Sequence, residues 1–270
     1  MRSLVSALVV GAFVIHAPMA YAEEPVEGDI WPSLRAQLFG TRVIEEDSGT
    51  RLELNLPKRA HDAGVVPLEV RFRRLPGDPH LRKLYLVIDE NPSPVGAIFE
   101  FGEASGGVEF ETRVRIEDYT WVRVIAERDD GSLISTRRFI KAAGGCSAPA
   151  GKTLAERMAG IGKMKWRLDQ PQVPGAPSSV QLMIRHPNDS GLAMDQLTRL
   201  YDPPMFVNHV RVMHGGAMIF DAQVDFTISQ NPVFRFTLPF QEAGLLQAVV
   251  TDTDDRRFES TFEVDAPGSN

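Results

Sequence analysis

The chain has 270 residues, 36 acidic against 29 basic, and a formal net charge of −7. An acidic chain without basic stripes is a poor partner for phosphate backbones, which excludes nucleic-acid binding. The length makes one large domain or two small ones, and a single cysteine, Cys146, allows no internal disulfide.

The first residues read as an export signal. Arg2 gives a positive start, Leu4 to Ile15 is apolar, and Ala20-Tyr21-Ala22 sets small residues around a large one. The expected signal peptide is 1–22, cleaved after Ala22. A retained anchor fits less well, because a spanning helix needs ~20 apolar residues and Pro18 interrupts this run. No later segment reads as a membrane span, so no membrane contact is expected after signal removal. The simplest destination is a bacterial periplasm, where an unpaired cysteine is unusual.

The expected first domain is 23–141. Trp31, Leu34 and Leu38 share one helical face, and Gly40 ends that short helix. Apolar residues then alternate with polar ones at Leu52, Leu54 and Leu56, and at Leu68, Val70 and Phe72. Further strands are expected at Leu84 to Ile88, Ile98 to Phe101, Val108 to Ile116, Trp121 to Ala126 and Leu133 to Ile140. Turn signals such as Pro76-Gly77-Asp78, Asn91-Pro92 and Asp129-Asp130-Gly131 separate them. Short strands at this spacing predict an antiparallel sandwich.

Residues 142–177 differ in texture. From Lys141 to Lys152 the side chains are tiny apart from two lysines, which predicts a flexible linker. Leu154 to Trp166 predicts a short helix, with Thr153 and Glu156 as a capping box. Pro171 to Pro177 leads into the last segment, 178–270. There Val180 to Ile184, Phe206 to Met213, Ala217 to Phe226, Val233 to Leu238, Leu245 to Asp252 and Phe258 to Val264 predict a second sandwich. The expected fold is all-β: two antiparallel β-sandwiches joined by a flexible arm and a short helix.

Cys146 sits on that arm. Gly144 and Gly145 precede it, Ser147 and Ala148 follow it, and no apolar neighbour in sequence would bury it. From Ile140, six extended residues span at most about 20 Å, enough to carry the sulfur into a partner's cleft. Arg137, Arg138, Lys141 and Lys152 surround it in sequence without an acid between Lys141 and Ala155. Nearby cations favour a thiolate. The plain alternative is a linker that happens to contain a cysteine.

Other candidate sites are set aside. His209 and His214, with Met205, Met213 and Met218, suggest copper ligands, but residues five apart on a strand point to opposite faces. His186 before Pro187 reads as a shaped strand end. His61-Asp62 has no nucleophile beside it in sequence. No catalytic residue, cofactor site or metal site is assigned, and the protein is expected not to be an enzyme.

The chain also resembles a known family. Trp31…Leu34…Leu38-Phe39-Gly40, Leu54-Asn55-Leu56-Pro57…Arg59-Ala60…Val65-Val66-Pro67 and Gly144-Gly145-Cys146 resemble SoxY. Ile184-Arg185-His186-Pro187…Gly191, Pro204-Met205-Phe206-Val207 and Ile228-Ser229-Gln230-Asn231-Pro232 resemble SoxZ. The order is similar to that of the quinoprotein dehydrogenase-associated SoxYZ-like carrier proteins. The resemblance implies immunoglobulin-like sandwiches and a covalent carrier site at Cys146, with Gly144, Gly145 and Ser147 in a mobile arm. It implies sulfur-containing cargo and, as partners, periplasmic redox or sulfur-metabolising enzymes, a quinoprotein dehydrogenase among them. Two features depart from the family: a second half follows the arm, and Ser147-Ala148-Pro149 replaces glycines after the cysteine. Fused subunits keep their interface, so the two domains are expected to pack on each other. The alternative function is a non-covalent accessory or docking subunit for such a dehydrogenase.

Overall fold

The computed structural model describes residues 28, 30–105, 108–147, 153–169, 177–194, 199–239 and 243–265. The expected signal peptide lies outside them. The first half contains helix α1 (Ile30–Phe39) and strands β1 (Ile44–Glu46), β2 (Leu52–Asn55), β3 (Val66–Phe72), β4 (Leu81–Ile88), β5 (Val95–Phe101), β6 (Val108–Val114), β7 (Thr120–Arg128) and β8 (Leu133–Ile140). The second contains α2 (Leu154–Met158), β9 (Met164–Leu168), β10 (Pro177–Ile184), β11 (Val207–His214), β12 (Ala217–Val224), β13 (Val233–Pro239), β14 (Gly244–Asp252) and β15 (Arg257–Val264).

These strands form two sheets, ordered β1-β8-β7-β4-β5-β12-β11-β14-β15 and β2-β3-β6-β13-β10-β9. The all-β sandwich expected from the alternating runs is what the chain forms. In β3, Val66, Leu68, Val70 and Phe72 are buried while Pro67, Glu69 and Arg71 point away. That is the period-two pattern of a strand with one face on a core. Among the described strands all pairs are antiparallel except β1 with β8.

Each sheet runs through both halves. β5 pairs with β12, setting Phe99 opposite Ala222 and Phe101 opposite Phe220. β13 pairs with β6, setting Phe236 opposite Phe110. Without its partner each of these strands would expose a row of unpaired N–H and C=O groups. The core is continuous across the seam. The rings of Phe99 and Phe110 lie 4.4 Å apart, and Phe110 lies 6.0 Å from both Phe220 and Phe234. The two halves are thus packed on each other by both layers.

On the outer face of the longer sheet, α1 lays Trp31 and Phe39 over Val87, Ile125 and Leu133. The Arg123 guanidinium stacks on Trp31 at 4.6 Å and makes a buried pair with Asp89 at 2.7 Å. The helix expected from Leu154 to Trp166 stops at Met158. Its capping box of Thr153 and Glu156 is present, but Gly160 at φ +73° breaks the run. Trp166 instead lies in β9, its indole N–H donating to Ser260 Oγ at 3.1 Å. Among the described residues no helix is long and apolar enough to cross a membrane.

Candidate functional site

Around Val114, where the chain leaves β6, it still pairs with the second half. Arg115 N donates to Thr227 O at 2.7 Å, and Ser229 N donates to Arg113 O at 2.9 Å. The cysteine arm lies along this seam. Its root is tied by Lys141 N to Lys58 O at 3.0 Å. Gly144 N then donates to Glu117 O at 2.7 Å, and Gly145 N to Ile116 O at 2.9 Å.

The arm was expected to be flexible at Gly144, Gly145 and Ser147, with Cys146 accessible. Instead, residues 141–147 are docked and Cys146 is 2 % exposed. The glycines explain the difference. Gly144 takes φ +76°, which costs a glycine little. A Cβ on Gly145 would lie 2.1 Å from Ala63 O and 2.7 Å from Ile116 O. Here the small residues permit close backbone approach. The continuation, 148–152, lies outside the described residues.

Both halves hold the cysteine. From the first, Glu117 Oε2 accepts Cys146 N at 2.8 Å and Ser147 N at 3.2 Å, while Oε1 accepts Ser147 Oγ at 2.7 Å. From the second, Ser190 Oγ donates to Cys146 O at 2.5 Å. Burial pushes the thiol up to about 12, with Glu117 and Asp225 adding to the shift and Arg115 opposing it. Docked Cys146 is therefore a neutral thiol.

Among the described residues, two of the four expected cations are engaged elsewhere. Arg137 stacks on Trp121 at 4.6 Å and faces Glu46 at 3.8 Å. Arg138 bonds the carbonyl of Arg137, and Lys152 is outside the described residues. Among the described residues, the cation that bears on the sulfur is Arg115, which is buried and donates through Nη1 to Phe226 O at 2.6 Å and Ile228 O at 2.9 Å. Burial pushes its pKa down, while Cys146, Asp189 and Asp225 act against that. Burial likewise pushes the Asp225 and Asp189 carboxyls up, against the pull of Arg115 and, for Asp189, its ion pair with Arg157.

The histidine motif of the second half shapes the loop that carries Ser190. His186 is fully buried; its Nδ1 accepts Asn188 N at 3.0 Å, so Nε2–H faces Asp252 Oδ2 at 3.2 Å. Burial pushes its pKa down, although the Asp252 hydrogen bond opposes the shift. Asn188, at φ +48°, donates to Ile228 O at 3.0 Å and accepts Val207 N at 3.0 Å. His186 thus fixes a strand end, as its place before Pro187 suggested.

The other histidines singled out from sequence that the structure describes are not grouped. His209 pairs with Asp221 at 2.7 Å, and His214 packs against Gly244. Asp62 Oδ1 accepts Gly64 N at 2.8 Å in a turn beside His61. Among the described residues no three His, Cys, Asp or Glu side chains are grouped to hold a metal. A cleft of about 690 Å³ lies across the shorter sheet between Leu56, Pro67, Met183 and Val233. Cys146 is not among its lining residues.

Arg115, Glu117, Ser190 and Asp225 were not singled out from sequence. Ser190 directly precedes Gly191 of the His186-Pro187…Gly191 pattern, so that pattern points towards it. Glu117 lies 29 residues from Cys146, and no local pattern joins them.

Residues 35–146 match the family model of sulfur oxidation protein SoxY, and residues 165–263 match that of sulphur oxidation protein SoxZ. The first match ends on Cys146. Among solved structures, the sulfur carrier protein SoxY from Chlorobium limicola f thiosulfatophilum is 22 % identical, at a TM-score of 0.35 over 42 % of this chain and 94 % of its own. A β-glucuronidase from glycoside hydrolase family 2 is 11 % identical, at a TM-score of 0.22 over 82 % of this chain and 21 % of its own. No curated protein matches the chain.

Proposed function

The chain fuses a SoxY-like domain to a SoxZ-like domain, and from that premise we propose that it is a covalent thiol carrier. Cys146 holds sulfur-containing intermediates and presents them to separate enzymes. One observation carries this reading: the SoxY match ends on the chain's single cysteine, which both domains grip at their seam. The protein is not itself an enzyme in this reading, since Glu117 and Ser190 bond the arm's backbone. The signal-like start at 1–22 supports export to the periplasm, where sulfur-metabolising or redox enzymes, a quinoprotein dehydrogenase among them, are the partners.

Intact-protein mass spectrometry of periplasmic material tests this, with and without reductant. The expected result is a mature chain beginning at Glu23 that carries reductant-labile mass on Cys146. A bare thiol under every growth condition would sink the carrier reading. The burial of Cys146 favours a second reading, in which the cysteine is packing and the protein is a non-covalent accessory subunit for such a dehydrogenase. That reading expects Cys146→Ala to keep full function, whereas the carrier reading expects its loss.

A further inference from the structure

The docked arm is held by a compact set of contacts. Glu117 offers one carboxylate to three donors of the arm, two backbone N–H groups and the Ser147 hydroxyl. Such charge-assisted bonds are among the stronger ones in a protein. Ser190 secures the carbonyl of Cys146 from the other side, and at Gly145 there is no room even for a Cβ.

This position suits a bare thiol and little else. Cys146 is 2 % exposed, so a partner enzyme has no approach to the sulfur. Interiors are close-packed, and extra atoms on Sγ need volume that must be made by moving something. An anionic adduct would also face Glu117 and Asp225, whose charges already disfavour a thiolate there. Arg115 offsets that only in part, as it is tied to two carbonyls of the second half.

We propose that the arm has two positions, that Glu117 is the latch of the docked one, and that an adduct on Sγ and the docked position exclude one another. The bare thiol is stored at the seam; a loaded one is displayed. The display rests on the carrier reading, but the latch is a property of the protein alone.

The test needs no cargo. Full-length reduced protein is mixed with iodoacetamide, and labelling is followed by mass. The sulfur displaces iodide, a C–S bond replacing the C–I bond, and the thiol proton passes to buffer. Losing the latch charge should speed labelling about tenfold in Glu117→Gln, and losing one of the three bonds to that carboxylate about fivefold in Ser147→Ala. The wild type should label slowest, well below the same chain unfolded in urea. Hydrogen exchange on the labelled wild type should show the amides of Gly144, Gly145, Cys146 and Ser147 losing protection.

Equal labelling rates in the three proteins, or unchanged protection after labelling, would overturn the proposal. Ser147 is exposed, so its variant decides the matter if Glu117→Gln fails to fold. The carrier reading fails separately, on the mass of Cys146 in the periplasm. A protein that carries cargo yet labels alike in all three forms keeps that reading and loses the latch.

Discussion

Arg115 Nη1 donates to the carbonyl of Ile228 at 2.9 Å, taking a buried cation from the first half into a loop of the second. Asp225 and Asp189 act on this guanidinium from that second half. Removing one member of a buried charge set leaves the others uncompensated, typically at about 3–5 kcal/mol. Arg115→Met is expected to lower unfolding stability by about that amount, measured by urea denaturation. A loss under about 1 kcal/mol would mean that the charge is idle.

The seam should behave as core. Phe220 is fully buried, and its ring lies 6.1 Å from Phe99 and 6.0 Å from Phe110, both in the first half. Truncating a buried phenylalanine costs about 3–5 kcal/mol. Phe220→Ala is expected to destabilise the whole chain by that much in one cooperative transition. Two separated melting transitions, with only the second shifted, would show that the halves fold independently.

The strands were legible wherever burial alternates, as at Leu52 and Leu54 or Leu68, Val70 and Phe72, because a half-buried strand repeats every two residues. β1 is too short to show a period, and β9 was hidden inside a helix pattern that Gly160 ends early. The shared sheets were not legible, since alternation says which face is buried but not which strand lies alongside. The docking of the arm is not legible for a different reason. Glycine serves both freedom and close approach, and composition alone does not distinguish Gly145 wedged under Ala63 from a glycine in open solvent. The latch on Glu117 belongs to a long-range contact, beyond any local window.

Acid should loosen the second half first around His186. Burial holds its pKa below the ordinary value of about 6.5. A depressed folded pKa gives stability that is present above the unfolded value and lost as pH falls through the folded one. Asp252 follows at lower pH. Burial pushes its carboxyl up, but hydrogen bonds from Arg256, His186 and Asp254 outweigh that and hold it below the usual range. Urea midpoints should therefore begin to fall below about pH 6.5 and fall again below about pH 4. In Asp252→Asn the second decline should shrink, because its titrating carboxylate is gone. A flat profile between pH 7 and 5 would exclude the role given to His186.

The thiol gives the opposite sign. Its folded pKa is raised, by burial first and then by Glu117 and Asp225, to about 12. An ordinary cysteine titrates near about 8.5. The docked position therefore binds a proton that the released arm loses. Its stability is fully present below about pH 8.5 and drains away as pH rises towards about 12. Thiolate absorbance of the folded protein should then show a midpoint above that of the urea-unfolded chain. Glu117→Gln removes both a repelling charge and part of the latch, so its midpoint should move back towards the ordinary value. The comparison separates two causes of slow labelling. A covered but ionised sulfur would react slowly with a normal midpoint, whereas a sulfur kept neutral at the seam shifts both. A wild-type midpoint equal to that of the unfolded chain would mean that the bare arm spends its time released.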